Sequence, residues 1–253
     1  MTISAVLALL IAVTTMFGAT TSGTFHWSGN LPAGKSIEIR GINGSIHAEP
    51  AVGDNVDVIA YKSGSEFDPA EINVQVMEHD GGVTICAVYP GRDGHSGDCG
   101  APGDKTDIQV DFTVHVPPGV RFVGRTVNGL VEAHALRSDT EAHTVNGNLR
   151  LSTLCSARGD TVNGSIEASV GRITSAMKFT TVNGAITLEM PARSSARVRA
   201  NTLNGHILTN FPLAVRHKDV GQSTDASIGT GGPELRIDTV NGSINLKKRI
   251  TRL

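Results

Sequence analysis

The sequence predicts an all-β fold: a parallel β-helix-like solenoid with coils of about 17–21 residues and a β-rich cap at its N-terminal end. Three observations lead there. Asn-Gly pairs recur in TVNGLVEA from Thr126, TVNGNLRL from Thr144, TVNGSIEA from Thr161, TVNGAITL from Thr181, TLNGHILT from Thr202 and TVNGSINL from Thr239, with GINGSIHA standing apart at Gly41. The asparagines from Asn128 onward are separated by 18, 17, 20, 21 and 37 residues, the near-fixed period of a repeat architecture. Around each pair apolar and polar residues alternate, and the composition, with 29 glycines and only 4% aromatics, suits a β-rich chain with many turns. An antiparallel sandwich or meander is the alternative arrangement.

Asn-Gly between apolar residues first suggests a two-residue hairpin. That reading would place Val162 opposite Ser165 and Thr161 opposite Ile166, although cross-strand partners should share a face. Read as one strand instead, Val162, Gly164, Ile166 and Ala168 point inward while Asn163, Ser165 and Glu167 point outward. Upstream of each Val the apolar phase slips by one, which predicts a bend just before it. Stacked copies would then line up Asn43, Asn128, Asn146, Asn163, Asn183, Asn204 and Asn241 in one outward column, joined by side-chain hydrogen bonds. The threonines at 126, 144, 161, 181, 202 and 239 would form an adjacent outward column. Gly44, Gly129, Gly147, Gly164, Gly184, Gly205 and Gly242 would face inward or occupy a bend that excludes a Cβ. These asparagines and glycines are expected to be structural.

Taken in order, residues 1–22 hold the apolar run AVLALLIAV from Ala5, followed by small residues, with no Lys or Arg ahead of it. This reads as a cleaved export signal or a retained membrane anchor. Residues 23–118 form the β-rich cap, with expected strands at 36–48, 56–61, 72–77, 83–89 and 107–116 and a hairpin turn at His79–Gly82. The loop from Pro90 to Lys105 is bracketed by Cys86 and Cys99, plausible disulfide partners in an exported protein. Closing that loop would stabilise the fold by about 3 kcal/mol. Cys155 is left over and is expected in or beside the core. Asp93, Asp98, Asp104 and Asp107 match no calcium-loop spacing, so no metal site is expected. Residues 119–253 carry the solenoid, interrupted at 211–234 by a loop rich in turn formers. The chain closes on the basic residues Lys247, Lys248, Arg249 and Arg252, which would protect a strand edge.

The net charge of -2 and the single Trp27 argue against nucleic-acid binding. A polysaccharide-cleaving enzyme would need carboxylates converging on one outer face. The best set is Glu132, Asp160 and Glu167, with His143 near Asp160, but these lie in columns of mixed sign that resemble a solvated surface. No P-loop, dinucleotide fingerprint, nucleophile elbow, HExxH or CxxC occurs, so the expectation is a non-enzyme without cofactor.

The reiterated TVNGxI units, the passage VDFTVHVPPGVRFVGRTVNG from Val110 and the opening IEIRGINGSIHAEP from Ile37 resemble the bacterial putative-adhesin domain over roughly residues 30–248. The resemblance implies an exported β-solenoid of the cell envelope and brings no catalytic or binding residues with it. The expectation from the whole sequence is a secreted, periplasmic or surface protein. It would present a repetitive polar face to a glycan or an envelope protein, and would touch the membrane only through an uncleaved N-terminal segment. A β-helix carbohydrate-active enzyme and an envelope-stress scaffolding module are the alternatives.

Overall fold

The computed structural model describes residues 23–90, Cys99, 107–217 and 220–249. The chain runs through β1 (Thr24–Asn30), β2 (Ser36–Arg40), β3 (Ile46–Pro50) and β4 (Asn55–Ser63), makes a 3-10 turn at Pro69–Glu71, and continues as β5 (Asn73–His79), β6 (Gly82–Val88) and β7 (Gln109–Val116). Strands then come in pairs on either side of each Asn-Gly. These are β8 (Arg121–Arg125) with β9 (Val131–Leu136), β10 (Thr140–His143) with β11 (Leu149–Thr153), and β12 (Ala157–Asp160) with β13 (Ile166–Val170). Next come β14 (Met177–Asn183) with β15 (Ile186–Pro191), and β16 (Ala196–Asn204) with β17 (Ile207–Thr209). A short excursion through β18 (Arg216–His217) and β19 (Gln222–Ile228) leads to the last pair, β20 (Glu234–Asn241) with β21 (Ile244–Arg249).

The described residues form two mixed sheets. Sheet A has ten strands in the order β1-β4-β7-β3-β9-β11-β13-β15-β21-β17, and sheet B has eleven in the order β18-β19-β16-β20-β14-β12-β10-β8-β2-β6-β5. From β3 to β17 and from β6 to β16 the neighbours are parallel, while β1, β4, β5, β18 and β19 attach antiparallel at the ends. Each strand pair therefore forms one rung, with one strand in each sheet and the Asn-Gly between them.

Apolar side chains from both sheets fill the space between them in one cluster. In sheet A, Val131, Leu149, Ile166, Ile186 and Ile244 sit directly above one another, all fully buried. The matching sheet B column runs Ile39, Gly124, Ala142, Gly159, Phe179, Ile237 and Ala200, with its small residues together in mid-stack. A Cβ on Gly159 would lie 3.0 Å from Leu149 Cδ1 and 3.5 Å from Phe179 Cδ1, so this position leaves room for its neighbours.

Two features depart from the sequence reading. First, the bend falls on Val-Asn-Gly itself and not ahead of it, which inverts two expected columns. The threonines point inward and are 1–6% exposed, whereas Val145, Val162, Val182, Leu203 and Val240 point out and are 38–49% exposed. Parity counted through the bend assigned them the wrong way round. Second, the rungs do not stack in chain order. β20–β21 is inserted between β14–β15 and β16–β17, so the asparagines run 43, 128, 146, 163, 183, 241, 204. The 37-residue gap is thus a crossover, in which β19 pairs with the far edge of β16 before the chain returns inside. The same device occurs at the other end, where β2–β3 lies between β6–β7 and β8–β9. Both sheets continue without a break across residues 118 and 119, the boundary read from the sequence.

The repeat glycines are placed by close approach between rungs. A Cβ on Gly164 would stand 1.8 Å from the carbonyl oxygen of Gly147 in the rung below. We predict that Gly164→Val forces the rungs apart and destabilises the protein by about 2–4 kcal/mol. Thermal unfolding checks this, and a wild-type midpoint in the variant would contradict it.

Candidate functional site

Three surfaces run along the stack: the Asn-Gly edge and the outer faces of the two sheets. At the edge the asparagines are engaged through both backbone and side chain, as Asn163 shows. The backbone N–H of Asn163 donates to the Val145 carbonyl at 2.8 Å, and its own carbonyl accepts from Gly147 N–H at 3.1 Å. Its side-chain Nδ2 donates to Asn146 Oδ1 at 2.9 Å. The side-chain bonds continue in one direction from Asn204 through Asn241, Asn183, Asn163, Asn146 and Asn128 to Asn43, at 2.7–2.9 Å. Beneath this ladder the buried threonines donate to the glycine carbonyls of the next rung. Thr126 reaches Gly44, Thr144 Gly129, Thr161 Gly147, Thr181 Gly164, Thr239 Gly184 and Thr202 Gly242, at 2.7–3.1 Å. The sequence singled out these threonines but gave them an outward role. The edge presents amides already bonded to each other, flanked by the exposed Val145, Val162, Val182, Val240 and Leu203.

On the outer face of sheet B, charges neutralise one another from rung to rung. Glu38 bridges Arg40 at 3.0 Å and Arg125 at 2.8 Å. Glu141 meets Arg121, Arg125 at 3.0 Å and His143 at 2.7 Å. The chain of pairs continues through His143 and Asp160 at 3.4 Å to Lys178 at 3.7 Å. Burial alone would raise the pKa of Glu38, but hydrogen bonds and charge from Arg40 and Arg125 outweigh it and the net shift is downward. Glu141 behaves alike, its burial overcome by His143 and Arg121. Both therefore stay ionised at neutral pH, unsuited to donating a proton.

The structure separates the three carboxylates singled out in the sequence. Asp160 lies on β12 in sheet B, engaged with His143 and Lys178. Glu132 and Glu167 lie on β9 and β13 in sheet A, in register on either side of Arg150, and Glu132 is bonded to His47 Nδ1 at 3.2 Å. With His134, Ser152, Thr187, Glu189 and Lys247 they line an open groove of about 420 Å³. β9 holds one residue more than β11 at this point, a bulge where Ala135 takes a φ of 50°. Farther along the same face, Glu189, Leu208, Asn245, Lys247 and Lys248 line a wider opening of about 740 Å³. The sequence singled out Glu132 and Glu167 but did not anticipate the groove, which depends on side chains of several rungs. Nearer β1, a second row runs Glu49–His115–Asp57–His26 across four strands, with contacts of 2.9, 3.6 and 2.7 Å.

Cys86 and Cys99 are joined in a disulfide with a Cα–Cα distance of 5.6 Å. Cys155 is half-buried at a turn and not in the core, where its backbone N–H donates to Thr153 Oγ1, and burial followed by the charge of Asp139 raises its thiol pKa. Asp107 is committed to the turn at Ser65 and Glu66, accepting both backbone N–H groups through Oδ2 at 2.8 and 2.6 Å. Asp93, Asp98 and Asp104, the apolar segment at residues 1–22 and Arg252 lie outside the described residues. Among the described residues no cluster of three or more His, Cys, Asp or Glu could hold a metal, and no helix is long and apolar enough to cross a membrane.

No protein-family model matches the chain, and no curated protein matches it. Several solved structures overlap with it. A putative cell adhesion protein from Clostridium sporogenes is 9% identical, with 88% of this chain and 99% of that one covered and a TM-score of 0.47. A putative adhesin from Bacteroides fragilis is 12% identical over 89% and 98% of the two chains, with a TM-score of 0.42. A putative adhesin from Parabacteroides distasonis is 13% identical over 89% and 97%, with a TM-score of 0.31. At these identities and scores nothing about a binding site passes from them to this chain.

The depressed pKa values of Glu38 and Glu141 give a signed pH dependence. Their ion pairs stabilise the fold above the ordinary carboxylate value of 4.5, and the contribution is lost as pH falls through the lower folded-state values. We predict that Glu141→Gln costs about 1.5–3 kcal/mol at pH 7 and that the gap between variant and wild type narrows as the pH is lowered below 4.5. Thermal unfolding at pH 7 and pH 3 tests this; a constant gap would contradict it.

Proposed function

We propose that this chain is an exported, non-enzymatic, adhesin-like surface protein of bacteria, a β-solenoid that holds a glycan or protein along the outer face of sheet A. The observation that supports this reading is the groove in which Glu132, Arg150 and Glu167 stand in register on adjacent strands and continue toward Thr187, Glu189 and Lys247. Parallel strands repeat such groups about every 4.8 Å, a spacing suited to contacting an extended ligand along its length. Polar groups borne on paired strands keep their positions, which limits the ordering cost on binding. The mutual neutralisation on sheet B supports the same reading, because its carboxylates are spent on holding rungs together. The Asn-Gly edge is assigned a structural role, and residues 23–118 the role of closing the N-terminal end. Export rests on the apolar segment from Ala5.

The alternative enzyme reading rests on Glu132 and Glu167 sharing that groove, with Asp160 removed from consideration by its place on the other sheet. One assay separates the two. Purified residues 23–253 are incubated with cell-wall fractions and polysaccharides, and retention and released reducing ends are scored in the same tubes. We predict retention without release, weakened about tenfold or more by Arg150→Ala, the loss of one charge-assisted contact. Release abolished by Glu132→Gln or Glu167→Gln would establish the enzyme instead. Absence of both would remove the glycan and leave a protein ligand.

A further inference from the structure

The inserted C-terminal rung points to a mode of self-association. β20–β21 fills a slot between the Asn183 and Asn204 rungs, and at the Asn-Gly corner it is held by the same groups that join the other rungs. Thr239 donates to the Gly184 carbonyl at 3.0 Å, and Thr202 to the Gly242 carbonyl at 2.7 Å. Asn241 Nδ2 reaches Asn183 Oδ1 at 2.8 Å, and Asn204 Nδ2 reaches Asn241 Oδ1 at 2.7 Å. Backbone bonds from Gly184 N–H to the Asn241 carbonyl and from Gly242 N–H to the Asn204 carbonyl, both 3.0 Å, complete the corner. The slot cannot stand open, because Leu235, Ile237, Ile244 and Leu246 are 0–1% exposed and are core for both neighbours.

The connection that delivers this rung is short. β19 and β20 lie on opposite sides of β16, Ile228 beside Ala196 and Glu234 beside Arg197, so only Gly229–Pro233 bridge across the start of that strand. Gly229, Gly231 and Gly232 take φ values of 58°, 79° and 145° to do so, and Thr230 N–H donates to Ser195 Oγ at 3.2 Å. A rung reached through a short, tightly wrapped hinge, and seated at the corner by groups that cannot distinguish its own chain from another, meets the conditions for exchange.

We propose that the slot between the Asn183 and Asn204 rungs accepts residues 234–249 of a second copy, so that two chains exchange C-terminal rungs and form a dimer. Each Asn ladder is then completed by the partner copy, without any dedicated interface. Extending the chain in the dimer relieves the wrap around Ser195, so hinge length sets the balance between the two forms.

Thr187 and Asn245 are register partners on the outer face of sheet A, which supplies the test. Two full-length variants are made, Thr187→Cys and Asn245→Cys, each with Cys155→Ser, and are unfolded, mixed, refolded at high concentration and oxidised. The expected result is a covalent dimer joining one chain of each kind. A control chain carrying both new cysteines, refolded dilute, closes the bridge within itself. Inserting Gly-Ser-Gly between Gly231 and Gly232 should lower the dimer fraction several-fold, and deleting Gly231 should raise it. A mixture that stays uncrosslinked while the control closes overturns the proposal. So does refolded wild-type protein that is monomeric by light scattering at every concentration, whatever the cysteines do.

Discussion

The structure depends on how a chain can turn a sharp corner and repeat that corner a rung above. At each bend one carbonyl, that of the Asn-Gly glycine, points along the stack, and no backbone N–H among the described residues reaches it. A buried acceptor without a donor costs more than most single contacts give. The threonine of the adjacent rung supplies the hydroxyl while its methyl stays in the core, which explains a β-branched polar residue at six successive corners. Glycine is required because the carbonyl it faces stands closer than any Cβ tolerates. Asparagine completes the corner from outside; Asn163, within the ladder, makes two side-chain and two backbone bonds. The motif is thus a single hydrogen-bonding unit in which each residue type answers a separate demand.

Because this unit is self-complementary between copies, it fixes the register of both sheets at once. Side chains of β9, β11, β13, β15 and β21 on the outer face of sheet A are then aligned as a consequence, and Arg150 between Glu132 and Glu167 follows from it. Register also decides which charges meet on sheet B, where Glu38 holds arginines of two rungs and Glu141 holds both arginines of the neighbouring β8. The same self-complementarity has a second consequence. It specifies contact between rungs without specifying which rungs, so order is left to the connections, and at both ends of the stack the connections place a rung inside its chain neighbour.

That division explains what could be read from the sequence. The strands, the asparagine column and the alignment of Glu132 with Glu167 depend on local alternation or on copy-to-copy equivalence, both visible in the residues. Threonine and valine exchanged faces because counting by twos holds only along a strand, and Val-Asn-Gly is a bend. Stack order was hidden because TVNGSI at Thr239 fits equally well against any other copy. Asp160 was grouped with Glu132 and Glu167 from motif proximity, yet the bend between positions 160 and 167 sends them to opposite sheets.

The threonine clasp is the claim on which the rest stands, and Thr161→Val tests it most directly, since valine keeps the shape and burial and removes the donor to Gly147. Equilibrium unfolding of this variant beside Thr161→Ser, which keeps the hydroxyl, separates hydrogen bonding from packing. Valine is expected to destabilise the protein by about 1–3 kcal/mol, and serine to cost less. A valine variant as stable as wild type, or more so, would mean that the glycine carbonyl needs no donor and that packing alone holds the corners in register.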